Sequence, residues 1–170
     1  MAYREQKPKK DVWRLRPIRP LRDASVLIEF GRDLYRESLG TDSRFFRDYG
    51  RRGQVFPFWI AQCAGRHRDF ATMLESGGAP IGMAVLGENS REAEFGQLHH
   101  LYVAPDWRGQ GFGGLLEDHA RETLSMAGFA RARLNVTTRN ARARRFYAAL
   151  GWRETGASQN GALRYMEVDL

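Results

Sequence analysis

The chain has 170 residues, 42% of them hydrophobic, and a formal net charge of +7 from 27 basic and 20 acidic residues. That size fits one domain with a substantial core, and the lone Cys63 excludes an internal disulfide framework or a paired-cysteine metal site. The start, MAYREQKPKK, has no apolar stretch behind its charges, and the longest strongly apolar run, VFPFWIA at 55–61, is too short to cross a bilayer, so the chain reads as a cytoplasmic protein without a membrane partner.

In chain order, residues 1–11 predict a basic, disordered tail, and 12–170 a single domain. VWRLRPI (12–18) alternates as a first strand. Asp23 then stands as an N-cap before a helix whose apolar residues Val26, Leu27, Phe30, Leu34 and Leu39 recur at helical spacing up to Gly40. On it, Glu29, Asp33 and Glu37 form an acidic row that interleaves with Arg32 and Arg36, which predicts a solvated, ion-paired face rather than a site for a cationic amine. Residues 43–61 predict a second helix broken by glycine and proline; its aromatics, Phe45 to Trp59, suit either a core or the wall of an acceptor pocket. DFATMLES and APIGMAVLGEN flank Gly77-Gly78 as a hairpin of strands two and three.

EFGQLHHLYV (94–103) predicts strand four, and GFGGLLEDHARETLSMAG a helix with Phe112, Leu116, Ala120, Thr123 and Leu124 on one face and Glu117, Asp118, Arg121 and Glu122 on the other. Strand five, ARARLNV (130–136), alternates Ala130, Ala132, Leu134 and Val136 against Arg131, Arg133 and Asn135. A last helix runs from Asn140 to Gly151, and WRETGAS with ALRYMEVDL closes the chain as a hairpin. The order predicts a mixed α/β fold in which strands four and five are a parallel pair joined by a helix, with antiparallel strands elsewhere.

The most informative stretch is LHHLYVAPDWRGQGFGG (98–114): an apolar strand, a proline turn, then an arginine and four glycines opening a helix. Backbone N–H groups at such a turn, together with the positive end of the helix dipole, favour an anionic ligand. No Lys-Ser or Lys-Thr pair follows the glycines, and strand five ends without an acidic residue, so neither a P-loop nor a dinucleotide fingerprint fits. Arg108 to Gly113 instead resembles the R/Q-x-x-G-x-G/A pyrophosphate motif of the GNAT superfamily, the acetyl-CoA-dependent N-acyltransferases. NARARRFYAALGW (140–152) is similar to that superfamily's N-x-x-A-x-x-F/Y-Y-x-x-x-G-F/W segment, in the right order and at the right distance. The close resemblance covers residues 93–156.

The resemblance implies the GNAT acyltransferase fold, with strands four and five splaying apart after a bulge in strand four. It implies that acetyl-CoA is the co-substrate and that a primary amine, on a small molecule, peptide or protein, attacks it directly in a ternary complex. The backbone at Leu101, Tyr102 and Val103 would pair with the pantetheine arm. Arg108, Gly109, Gln110, Gly111, Phe112, Gly113 and Gly114 would wrap the pyrophosphate, with Arg108 either touching phosphate or bracing the turn. Asn140 would cap its helix and meet the coenzyme, alongside Arg142 and Arg145. Tyr147 corresponds to the family's proton donor to the departing thiolate.

For the base, either His99 or His100 could accept a proton at an ordinary pKa of about 6.5. His99, four residues before Val103, resembles the position where some aralkylamine-type members carry a histidine and is first choice, with His100 second and the rest left to water, Gln97 or Glu94. Adjacent strand residues face opposite sides, so only one histidine is expected to reach the cleft, and no metal site is expected. Seven arginines from Arg131 to Arg153 are read as a field that holds the coenzyme phosphates. The rival readings are a non-catalytic acyl-CoA sensor and a basic nucleic-acid or ribosome-binding module, the latter marked by steep salt dependence. The acceptor's identity and a homodimer stay open.

Overall fold

A computed structural model describes residues 12–65, 67–88, 92 and 94–170, and the tail expected at 1–11 lies outside the described residues. Seven strands form one sheet: β1 (Trp13–Pro17), β2 (Ala71–Ser76), β3 (Ala79–Glu88), β4 (Phe95–Val103) and β5 (Arg131–Thr137) in sequence, then β7 (Leu163–Asp169) with β6 (Arg153–Ala157) outermost. Only β4 and β5 are parallel among these neighbours. The mixed α/β architecture expected from the element order is therefore present.

The helices are α1 (Ala24–Leu39), α2 (Ser43–Tyr49), α3 (Phe56–Ala64), α4 (Phe112–Met126) and α5 (Ala141–Ala149). Alternation along the strands divides them between the faces. Met83 and Val85 of β3 pack with Leu27, Phe30, Phe45, Phe56 and Ile60 of α1 to α3. Ala84 and Leu86 face the other way, toward α4 and α5. Phe45 and Phe56 are fully buried with ring centroids 5.3 Å apart and serve the core, whereas Phe58 of the same aromatic run is exposed.

Two local expectations are corrected. Asp23 stands at the N-cap of α1 but makes no side-chain capping bond. Its carboxylate instead accepts from Arg16 at 2.7 and 2.9 Å and from the Arg19 N–H at 2.8 Å, joining β1 to the start of the helix. Glu117, assigned by periodicity to the solvent face of α4, is 1% exposed, because Trp152 folds over that flank and donates its indole N–H to the carboxylate at 2.6 Å.

The feature that creates the site is a bulge in β4. Val85 pairs with His100 and Leu86 with Leu98, leaving His99 as an extra residue opposite β3. The imidazole of His99 lies where a side chain on Gly87 would stand, since a Cβ there would come within 2.5 Å of Nε2. Pairing between β4 and β5 stops at Leu98 and Leu134, while β5 continues alongside β7 to Thr137. Beyond the bulge the two parallel strands are therefore splayed.

Candidate active site

The splayed strands open into a cleft of about 930 Å3 that runs from the glycine turn to α1, α2 and the β6–β7 loop. At one end, Gly109 and Gly111 have φ of +70° and +90°, backbone that non-glycine residues adopt at a cost. The first bond of α4 runs from Leu115 N–H to Gly111 C=O at 3.1 Å. The amides ahead of Leu115 in that turn consequently have no acceptor within the helix and suit an anion. A Cβ on Gly109, Gly111 or Gly114 would meet no other group within 4 Å, so this side of the turn is open to a ligand.

Along the cleft floor, Ala104 donates its N–H to Ile81 C=O at 2.8 Å, which fixes the alternation of β4 against β3. Leu101 and Val103 thus turn their main-chain groups toward the gap left by β5, as an unpaired strand edge. The Val103 carbonyl is taken by Arg108, whose Nε donates to it at 2.7 Å, and the same guanidinium pairs with Glu37 on α1. Arg108 therefore braces the turn. Asp33 likewise accepts from the Tyr102 hydroxyl at 2.9 Å, so two members of the α1 acidic row tie that helix to the site, and only Glu29 remains simply exposed.

The second motif forms the opposite wall. Asn140 caps α5, its Oδ1 accepting from Ala143 N–H at 3.0 Å, and also lines the cleft. Farther along α5, Phe146 packs over Gly113 of the glycine turn, where a Cβ would stand 3.2 Å from the ring. Tyr147 is buried between the rings of Phe146 and Trp152 and reaches the cleft. Burial first, then the nearby Glu117 carboxylate, pushes its phenol well above the ordinary range, keeping it protonated.

Both histidines line the cleft, contrary to the expectation of opposed faces. The bulge offsets the pleat, so both rings lie against Trp59, at 5.4 and 5.2 Å. Burial lowers His99 to about 4. Burial, followed by the proximity of His99, lowers His100 to about 3. Both are neutral at physiological pH, and His100 Nε2 is buried without a hydrogen-bond partner among the described residues.

Other expected residues lie elsewhere. Phe112 is a core residue and the Gln110 amide bonds Asp106 C=O at 3.0 Å. Neither side chain lines the cleft, nor do Arg145, Glu94 and Gln97. The arginine field also breaks up. Arg131 and Arg133 pair with Glu167, Arg144 with Glu154 and Arg153 with Asp169, whereas Arg139 and Arg142 line the cleft. Tyr35, Ser38, Ser158 and residues 160–163 complete the rim without having been singled out. They come together through tertiary contacts, Thr137 to Ser38 C=O at 2.9 Å and Thr138 to Gly161 C=O at 2.6 Å, which no local pattern encodes. Among the described residues no three His, Cys, Asp or Glu side chains converge for a metal, and no helix is long and apolar enough to cross a membrane.

A glycine turn opening a helix, a strand edge without a strand partner and a tyrosine thus meet along the cleft of a splayed parallel pair. The sequence matches the model of the acetyltransferase (GNAT) family over residues 32–152, and the chain belongs to that family. It is 31% identical over 101 residues to an uncharacterised N-acetyltransferase of Archaeoglobus fulgidus, spanning 57% of this chain and 69% of that relative. Its fold is similar to that of the PaiA N-acetyltransferase of Thermoplasma acidophilum in complex with coenzyme A, with TM-score 0.78, 18% identity, and 94% and 99% of the two chains covered. An Arabidopsis thaliana protein in complex with the bisubstrate analogue CoA-Ac-MVNAL is also similar, with TM-score 0.68, 17% identity, and 93% and 99% covered.

Proposed function

We propose that residues 12–170 act as one cytoplasmic catalytic domain that moves an acetyl group from acetyl-CoA to a primary amine within a ternary complex. The observation that carries this reading is the continuity of the glycine turn, the free edge of β4 and Tyr147 along one cleft. The fit to the coenzyme rests on two features: main-chain groups at Leu101 and Val103 without a strand partner, and an open side at Gly111 and Gly114.

Acetyl-CoA, when bound, supplies the thioester carbonyl. The amides at the start of α4 hold the pyrophosphate, with Arg142 and Asn140 at the opposite wall, while Leu101 and Val103 align the pantetheine arm. Arg108 acts as a brace. The amine must lose a proton to attack, and His99, the less buried of the two histidines, is positioned to accept it. The Tyr147 hydroxyl donates a proton to the departing thiolate; a thiol of pKa about 8.5 requires only a weak acid.

The acceptor is a primary amine of a small molecule or peptide, in keeping with the peptide-bearing analogue bound by one structural neighbour. A panel of amines and N-terminal peptides, scored by thiol release from acetyl-CoA, tests the reading. Intersecting initial-velocity lines are expected, and parallel lines would point to a covalent intermediate instead. Tight coenzyme binding without thiol release toward any acceptor would favour the sensor reading.

A further inference from the structure

Glu117 is a fully buried carboxylate outside the cleft, with no role in the chemistry above. Burial drives its carboxyl above the usual range, against the pull of its Trp152 hydrogen bond and Arg121. Such a group is costly to keep in a core unless something depends on it.

Its hydrogen bond to Trp152 and its ion pair with Arg121 both lead to the C-terminal end of α5. Glu117 accepts from Trp152 Nε1 at 2.6 Å, and the Trp152 ring lies edge-on to Tyr147 with centroids 5.7 Å apart. The Trp152 and Leu150 amides both donate to Tyr147 C=O at 3.0 Å, closing the turn around that residue. One helical turn beyond Glu117, Arg121 approaches its carboxylate at 3.8 Å and donates to Leu150 C=O at 3.3 Å and Asp169 C=O at 3.0 Å. The next groups on this flank of α4, Asp118 and Glu122, are exposed. Thus α4, which begins at the phosphate turn, also grips the segment that carries Tyr147.

We infer that Glu117 is a positioning residue for Tyr147, acting through the Trp152 indole, so that the helix presenting the pyrophosphate site also fixes where the phenol sits. The inference rests on Tyr147 being the proton donor. Because the hydrogen bond needs an acceptor rather than a charge, glutamine substitutes for glutamate and leucine does not.

A double-mutant cycle in the full-length protein tests this, reading kcat and acetyl-CoA affinity. Glu117→Gln is expected within about twofold of wild type, and Glu117→Leu about ten- to fiftyfold lower in kcat with acetyl-CoA affinity unchanged. In a Tyr147→Phe background the leucine substitution is expected to cost less than about twofold, since the group it positions is gone. If Glu117→Leu does not fold, Glu117→Leu with Trp152→Phe removes donor and acceptor together, leaves no orphaned polar group and is expected to show the same kcat loss. A leucine effect of equal size in both backgrounds, or none beside an impaired Tyr147→Phe, would overturn the positioning role. Full activity in Tyr147→Phe alone would instead overturn the proton-donor reading, and this inference with it.

Discussion

Arg108 leaves the glycine turn and pairs with Glu37 on α1 while holding the Val103 carbonyl at 2.7 Å, so one guanidinium joins that turn, the end of β4 and α1. The charge of Arg108 is thereby partly neutralised before any phosphate arrives. Glu37→Gln keeps the Val103 brace but removes the rim's negative charge, so acetyl-CoA affinity is expected to rise by about two- to fivefold at low salt and less as salt screens the difference. Arg108→Ala loses the brace and is expected to weaken binding by about tenfold, roughly 1.4 kcal/mol. Calorimetry at two ionic strengths checks both.

Tyr147→Phe removes only the hydroxyl from a ring held by Phe146 and Trp152. The expected result is a fall in kcat of about tenfold to a thousandfold with acetyl-CoA affinity nearly unchanged. Steady-state kinetics beside a coenzyme titration decides between this and a packing role, which predicts full activity.

The histidines carry a pH prediction that differs from the one their ordinary pKa suggests. With His99 lowered to about 4, kcat/KM for an acceptor of low pKa is expected to stay flat from pH 8 to about 5 and fall only near 4. His99→Gln is expected to remove that limb and His100→Gln to preserve it. If both variants keep the wild-type profile, neither histidine is the base.

The same shifts predict stability. His99 and His100 have folded pKa values below the unfolded value of 6.5, so their contribution is complete above pH 6.5 and is lost as pH falls toward 4 and 3. Carboxylates such as Asp23 and Glu75, held below their ordinary values of 3.8 and 4.5, titrate lower, which leaves the window from about 4.5 to 6.5 to the histidines and, with the opposite sign, to Glu117, whose carboxyl burial raises. Urea unfolding is expected to show stability declining through that window, less steeply in His99→Gln/His100→Gln. A residual slope should remain from His119, which burial lowers in the same direction.

What could be read from the sequence was local. Glycines at positive φ, the Asn140 cap and the two periodicities each declare themselves within a few residues, and they located the glycine turn, the parallel pair and α5. The bulge in strand four was expected only through the family resemblance, because nothing in a His-His pair marks an extra residue; its trace lies on another strand, in Gly87, whose missing side chain leaves room for His99. The arginines of β5 looked like a phosphate field because their partners come from the register with β7, Arg131 opposite Asp169 and Arg133 opposite Glu167. Glu117 looked solvated because its partner stands 35 residues along the chain.

The claim that this cleft binds acetyl-CoA against the start of α4 is tested most directly at Gly114, in the first turn of that helix, where an added Cβ meets, among the described residues, nothing beyond its own stretch of helix within 4 Å. Gly114→Ala costs nothing in packing and improves helix propensity by about 1 kcal/mol, so thermal stability should hold or rise. Isothermal titration of acetyl-CoA into wild type and variant is expected to give saturable binding in the first and affinity at least about tenfold weaker in the second. Equal affinity in the two proteins, or no binding to wild type, would contradict the account.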